Sequence, residues 1–282
     1  MRYSRLLALL CCTALGCQIA PLSNAVGPKK VLLDDREVHY SVAGSGAQTL
    51  LLIHGWASDR RAWWKNAPQL AAHFRVIAID LPGHGQSDDP ARPYTMGLFA
   101  DAMAAVLDAE GVAIALVVAH SNGVPTARQF YRQFPERVSK LVLVDGTMKS
   151  LIPDAFVPQV VASFENDYQG TVRTFVNQMP THGLSDAELE AIMDMATSQT
   201  QGAVLGGFQA GIDSAIWNDD PIHVPVLMLQ AKQPAWDAAY ETYVRSLITN
   251  LDYRVLPDVS HYLMVEKADE FTTWVREFAA RP

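Results

Sequence analysis

Cysteine is scarce in this chain of 282 residues, and Cys11, Cys12 and Cys17 are its only examples. A product that begins at Val26 has no thiol at all, which excludes disulfides, a cysteine nucleophile and cysteine-ligated metal together. Runs of lysine or arginine are also missing. The 22 basic residues are outnumbered by 30 acidic ones, a net charge of −8, so nucleic acid is not an expected partner. The apolar run at residues 6–16 is well short of the roughly 20 residues that cross a bilayer. There is no Gly-x-Gly-x-x-Gly and no lysine at P-loop spacing, so nucleotide binding is not expected. His39, His73, His182 and His223 lack metal-type spacing, so neither metal nor other cofactor is expected. No internal repeat or low-complexity tract occurs. What is present is ordinary for a globule: 49% hydrophobic residues, enough for one large α/β domain or a core with an insertion.

The N-terminus has the make-up of a targeting segment. Arg2 and Arg5 precede the apolar run, and Pro21 lies beyond it as a breaker. Export is therefore expected, to a periplasmic, secreted or lipid-anchored location. Ser23-Asn24-Ala25 has the small-x-small pattern of a cleavage site. Gly16-Cys17 instead resembles the end of a lipoprotein box, which would put a lipid on Cys17 and give the chain its one membrane attachment. An uncleaved anchor is the third reading. The segment is assigned to residues 1–25.

Beyond it, short strands are expected at residues 31–33 and 37–43 around the turn Asp34-Asp35-Arg36. The runs at 49–53 and 75–79 read as buried strands, and 113–118, 139–144, 224–229 and 253–256 as further strands of the same sheet. Between them lie helical stretches at 63–74, 94–110, 124–134, 235–247 and 268–279. Alternation of this kind builds a mostly parallel sheet with helices on both faces. Catalytic groups of such sheets gather beyond the carboxyl ends of the strands. His54, Asp80, Ser121 and Asp145 each stand just after one. The rhythm stops at residues 149–221, where no strand pattern appears and Ser185-Asp186-Ala187-Glu188 spells a capping box. That stretch reads as a helical insertion between core segments 26–148 and 222–282.

The most specific local signal is Ala119-His120-Ser121-Asn122-Gly123, a serine between small residues where a strand gives way to a helix. Such a turn lifts a hydroxyl clear of the sheet edge and aims the next N–H at the site of a developing oxyanion. A helix-capping serine is the plainer alternative.

Four motifs in order resemble the α/β-hydrolase fold family: His54-Gly55-Trp56, Asp80-Leu81-Pro82-Gly83-His84-Gly85-Gln86-Ser87, the Ser121 segment, and Val259-Ser260-His261-Tyr262 followed by Glu266-Lys267. The resemblance covers roughly residues 30–279 and places a helical cap at the insertion. It implies Ser121 as nucleophile, His261 as the base that takes and returns its proton, and the backbone N–H groups of Trp56 and Asn122 as an oxyanion hole. Ala119 stands where the family more often has glycine. His54, His84 and His120 fall in loop motifs where shaping the loop is role enough, and Gly83 and Gly85 serve backbone geometry.

The acid departs from the pattern. The family's usual position falls at Gln233 or Pro234, and neither can stabilise an imidazolium by charge. Three readings stay open: Asp145 serves, Asp237 reaches back, or no acid exists. Asp258 reads as a loop-shaping residue. The resemblance implies a serine hydrolase that cleaves an ester or related acyl bond of a small, moderately hydrophobic substrate through an acyl-enzyme. A serine rather than an aspartate at the elbow weighs against epoxide or haloalkane chemistry. The missing acid motivates a second reading, a ligand-binding or signalling member with weak or no turnover.

Overall fold

The structure is a computed structural model that describes residues 25–282. Apart from Ala25, the targeting segment lies outside the described residues, with all three cysteines and the lipid candidate Cys17.

Strands β1 (Ala25–Leu33) and β2 (Arg36–Ala43) form an antiparallel hairpin. Its two-residue turn has Asp34 and Asp35 at φ 50° and 61°, the left-handed pair whose twist matches a hairpin. After it come β3 (Thr49–Ile53), the short helix α1 (Asn66–Ala71), β4 (Arg75–Ile79), α2 (Met96–Ala109), β5 (Ala115–His120), α3 (Gly123–Gln133) and β6 (Val138–Val144). Helices α4 (Val157–Gln178), α5 (Asp186–Thr197) and α6 (Gln201–Ile212) follow without an intervening strand. The chain then returns to the sheet with β7 (Val226–Ala231), α7 (Ala238–Leu247), β8 (Leu251–Leu256), α8 (Leu263–Glu266) and α9 (Ala268–Ala279). The eight strands lie in the order β1-β2-β4-β3-β5-β6-β7-β8, and every pair from β4 to β8 is parallel.

Both faces of this sheet are covered. Leu51 and Ile53 pack with Phe99, Met103 and Phe130 on one side. Leu50 and Leu52 pack with Trp63, Leu70, Phe271 and Phe278 on the other. Burial on both faces is the reason β3 is apolar throughout rather than alternating. The capping box forms at the start of α5, with Ser185 accepting from the Glu188 amide and the Glu188 carboxylate returning to the Ser185 amide. Helix α4 is kinked at Asp167, whose carboxylate accepts from the Gly170 N–H at 2.9 Å and caps the second half.

Several boundaries differ from those expected. Residues 63–74 do not form one helix: a 3₁₀ turn at Arg60–Trp63, capped by Asp59, precedes α1. The strand expected at 113–118 starts at Ala115 and runs through His120. Arg137 donates to the Ala113 and Val112 carbonyls at 2.9 Å each, which ends the ladder, and Ile114 is left exposed. Strand β7 is displaced towards its carboxyl end and takes in Gln230 and Ala231. Its pairing with β8 continues to Ala231–Leu256.

The loops after β3 and β4 are bound to each other by buried histidines. His54 Nδ1 donates to the Gly55 carbonyl at 2.8 Å, and its Nε2 accepts from the Leu81 N–H at 3.1 Å. The His84 ring lies 5.1 Å from that of His54, and its Nδ1 donates to the Pro82 carbonyl. Burial pushes both imidazoles down, His84 to about 3. Beside them burial pushes the Asp80 carboxyl up to about 6, against the pull of Arg60.

These shifts set an acid response. Each histidine is neutral in the fold, while its unfolded counterpart gains a proton below about pH 6.5. Their contribution is complete above that pH and is lost as pH falls, for His84 over the range down to about 3. Asp80 acts oppositely, because the folded form takes its proton first, from about pH 6 downwards. With His54, His84 and the likewise buried His120 against one carboxyl, stability should fall as pH drops below about 6. Urea titrations at pH 7 and pH 5 read this directly. An equal or higher midpoint at pH 5 would contradict it.

Candidate active site

Ser121 follows β5 without a spacer and sits at φ 55°. Its N–H donates to the Val144 carbonyl and its own carbonyl accepts from the Val124 N–H, both at 2.9 Å. The turn is therefore tied to β6 on one side and to α3 on the other. A non-glycine residue at positive φ is strained. Gly123 makes the turn feasible: a Cβ there would come within 2.7 Å of the His54 carbonyl and 3.0 Å of that of Ile53. The capping position of α3 belongs to Asn122, which makes no side-chain cap bond, so Ser121 is not a helix cap.

His261 is held from three directions. Its Nδ1 lies 2.6 Å from Asp145 Oδ2. Its backbone N–H donates to the Pro180 carbonyl and its own carbonyl accepts from His120 Nε2, both at 3.0 Å. Burial pushes the His120 ring well below the usual histidine range, with the neighbouring His261 adding to the effect. His120 therefore acts as a neutral donor. A proton on His261 Nδ1, facing the carboxylate, leaves the Nε2 lone pair as the one available for chemistry.

Asp145 closes β6 at φ 39°, with a fully buried side chain. Both of its oxygens are engaged. Oδ2 faces His261, and Oδ1 accepts from the Ala231 N–H at 2.9 Å and the Trp236 indole N–H at 3.1 Å. A buried carboxylate needs this satisfaction. Asp237 is engaged elsewhere: it caps α7, accepting from the Tyr240 N–H at 2.8 Å. Asp258 sits at φ 53° in the turn before His261. Gln233 lines the cavity wall.

Trp56 and Asn122 both reach helix α6. The Trp56 indole donates to the Val204 carbonyl at 2.7 Å, and the Asn122 amide donates to the Gly207 carbonyl at 3.1 Å. Among the described residues, neither backbone N–H of this pair donates to a protein acceptor. Ser121, Asn122, Trp56, Asp145 and His261 line one cavity of about 440 Å³. No direct hydrogen bond joins Ser121 to His261 in it. Among the described residues, no cluster of three or more His, Cys, Asp or Glu side chains is placed to hold a metal.

Some of this machinery left no trace in the motifs. Trp236 and the Ala231 amide contact the carboxylate, and Pro180 holds the histidine, yet Trp236 lies in a stretch read only as a helix, Ala231 just past a strand, and Pro180 in the helical insertion. His120 lay inside a motif but was assigned only a shaping role.

This constellation stands at the carboxyl ends of a mostly parallel sheet, where α/β folds gather their functional groups. The family model described as "alpha/beta hydrolase fold" matches residues 48–186, and the chain belongs to that family. It is 29% identical over 245 residues to a 2-hydroxy-6-oxononadienedioate/2-hydroxy-6-oxononatrienedioate hydrolase of Paraburkholderia phymatum, over 85% of this chain and 74% of that one. Among solved structures it resembles Est816, described as an N-acyl homoserine lactone degrading enzyme, with TM-score 0.75, 26% identity, and 89% and 100% of the two chains covered. The enol-lactonase from Burkholderia xenovorans LB400 shares the fold at TM-score 0.80 and 22% identity, covering 90% and 100%. Some curated relatives are much longer than the matched stretch, which in three cases spans 35% of the relative.

The Trp236 contact can be isolated. Trp236→Phe keeps a ring but removes the N–H from Asp145 Oδ1. A hydrogen bond to a charged group contributes about 1.5–3 kcal/mol, so kcat should fall at least about tenfold with KM little changed. A rise in KM at constant kcat would show the indole to be pocket wall only.

Proposed function

We propose that the protein is a serine hydrolase that cleaves an ester or related acyl bond of a small, moderately hydrophobic substrate. Ser121 Oγ attacks the carbonyl carbon as His261 Nε2 takes its proton. The Trp56 and Asn122 N–H groups receive the oxyanion. The imidazolium then protonates the leaving group, and water activated by the same imidazole clears the acyl-enzyme. Asp145 holds the ring in the required tautomer and stabilises its charged form. The contact between serine and histidine closes when substrate binds, since such hydrogen bonds are often long in an empty site.

One observation carries this reading: the 2.6 Å bond between His261 Nδ1 and Asp145 Oδ2, in the cavity that Ser121 also lines. It supports turnover over a binding-only protein, whose motive was the absence of a carboxylate at Gln233 and Pro234. A relative described as an N-acyl homoserine lactone degrading enzyme supports acyl cleavage. The make-up of residues 1–25 supports export, and the mass of the mature N-terminus separates cleavage after Ala25 from a lipid on Cys17.

A fluorophosphonate probe should label Ser121, and a short-chain p-nitrophenyl ester should be turned over. Ser121→Ala should abolish both. Asp145→Asn should lower kcat by about 10³–10⁴ with unchanged circular dichroism. Asp237→Ala should leave kcat intact and cost about 1 kcal/mol of stability through the lost cap. An active Asp145→Asn enzyme alongside an inactive Asp237→Ala enzyme would reverse the assignment of the acid.

A further inference from the structure

The cavity has a one-sided electrostatic character. Its wall is built largely from Trp56, Phe175, Met179, Phe208, Ile212 and Trp217. Gln178, Gln233, Thr147 and Ser150 add polar but uncharged groups. Among the described residues, the ionisable side chains on the wall are Asp145 and His261, and those two are bonded to each other.

The cations close in sequence to wall residues are Lys149, Arg128, Arg173 and Lys232, and none of them lines the cavity. Lys149 places its ammonium over the rings of Tyr240 and Tyr243, at 5.6 and 5.5 Å. Arg128 donates to the Met148 and Asn218 carbonyls and is itself buried.

We infer that this site takes an uncharged acyl substrate with an apolar arm and rejects one that carries a carboxylate. The inference rests on the serine-hydrolase reading for the chemistry, and on the wall alone for the selectivity. A carboxylate that enters the cavity gives up water and finds no cation to replace it. Arg or Lys is the usual counterpart where a site recognises a carboxylate. Asp145 adds a charge of the same sign. The imidazolium formed on His261 cannot serve the substrate, because Asp145 already neutralises it. An alkyl or aryl arm instead removes its own surface and that of the aromatic wall from water, at about 25 cal/mol per Å².

Three p-nitrophenyl esters test this: the pentanoate, the hemiglutarate in which a carboxylate replaces the terminal methyl, and the methyl-capped glutarate. At pH 8 the hemiglutarate should have kcat/KM at least about tenfold below the pentanoate, and methyl capping should restore it. A parallel measurement does not need turnover. Calorimetry on Ser121→Ala should show 2-nonanone binding at least about tenfold tighter than 8-oxononanoate. A gap under tenfold in either pair would overturn the inference. Loss of fluorophosphonate labelling would instead count against the serine mechanism, while the calorimetric comparison would still decide the selectivity. Gln178→Arg, at the end of α4, should narrow the gap by raising hemiglutarate turnover, because it supplies the missing cation.

Discussion

The bond between Asp145 and His261 is the contact on which the rest of the site depends. A carboxylate with no solvent exposure is costly unless every lone pair is used. Here one oxygen faces the imidazole, and the other accepts from the Ala231 amide and the Trp236 indole. These donors come from the end of β7 and the loop that leads into α7. The carboxylate therefore draws on the strand beside its own as well as on the histidine loop after β8. A carboxylate fixed in this way orients the imidazole without needing to accept its proton.

The second constraint is the strain at the elbow. Ser121 holds a left-handed conformation because β6 takes its N–H, α3 takes its carbonyl, and Gly123 lets the turn lie against the end of β3. The same turn is tied to the helical segment between β6 and β7. Asn122 and Trp56 donate to carbonyls three residues apart on α6. Pro180, after α4, accepts the His261 N–H. The inserted helices are thus bonded to the groups proposed for catalysis as well as shaping the cavity above them. Movement of α6 would be felt first at the two amides proposed to bind the oxyanion.

Much of the architecture was legible in the chain. Apolar runs marked the strands because both sheet faces are covered, and the capping box at Ser185 marked the start of α5. Boundaries were less legible. The apolar character of Ile114 continues the run of β5, but the side chain of Arg137 takes the carbonyls on which the ladder would have continued. Such a contact joins residues more than twenty positions apart and leaves no local pattern. Gln230 and Ala231 read as loop because their composition is mixed, yet pairing with β8 keeps them in the sheet.

The candidate nucleophile and base were visible because each lies in a short motif whose local geometry is encoded by its neighbours. The acid was not. Asp145, at the end of a strand, was the leading candidate and Asp237 the alternative, and local sequence says nothing about which would reach the histidine. The amino-acid order by itself determined the alternation of strands and helices, the serine turn and the scarcity of thiols, since these come from propensity, burial pattern and composition. Only the tertiary structure decided that Asp145 faces His261 while Asp237 caps a helix, and that an indole secures the carboxylate. Those choices depend on how β6, β7 and β8 lie side by side, and that is set by the packing of the whole sheet.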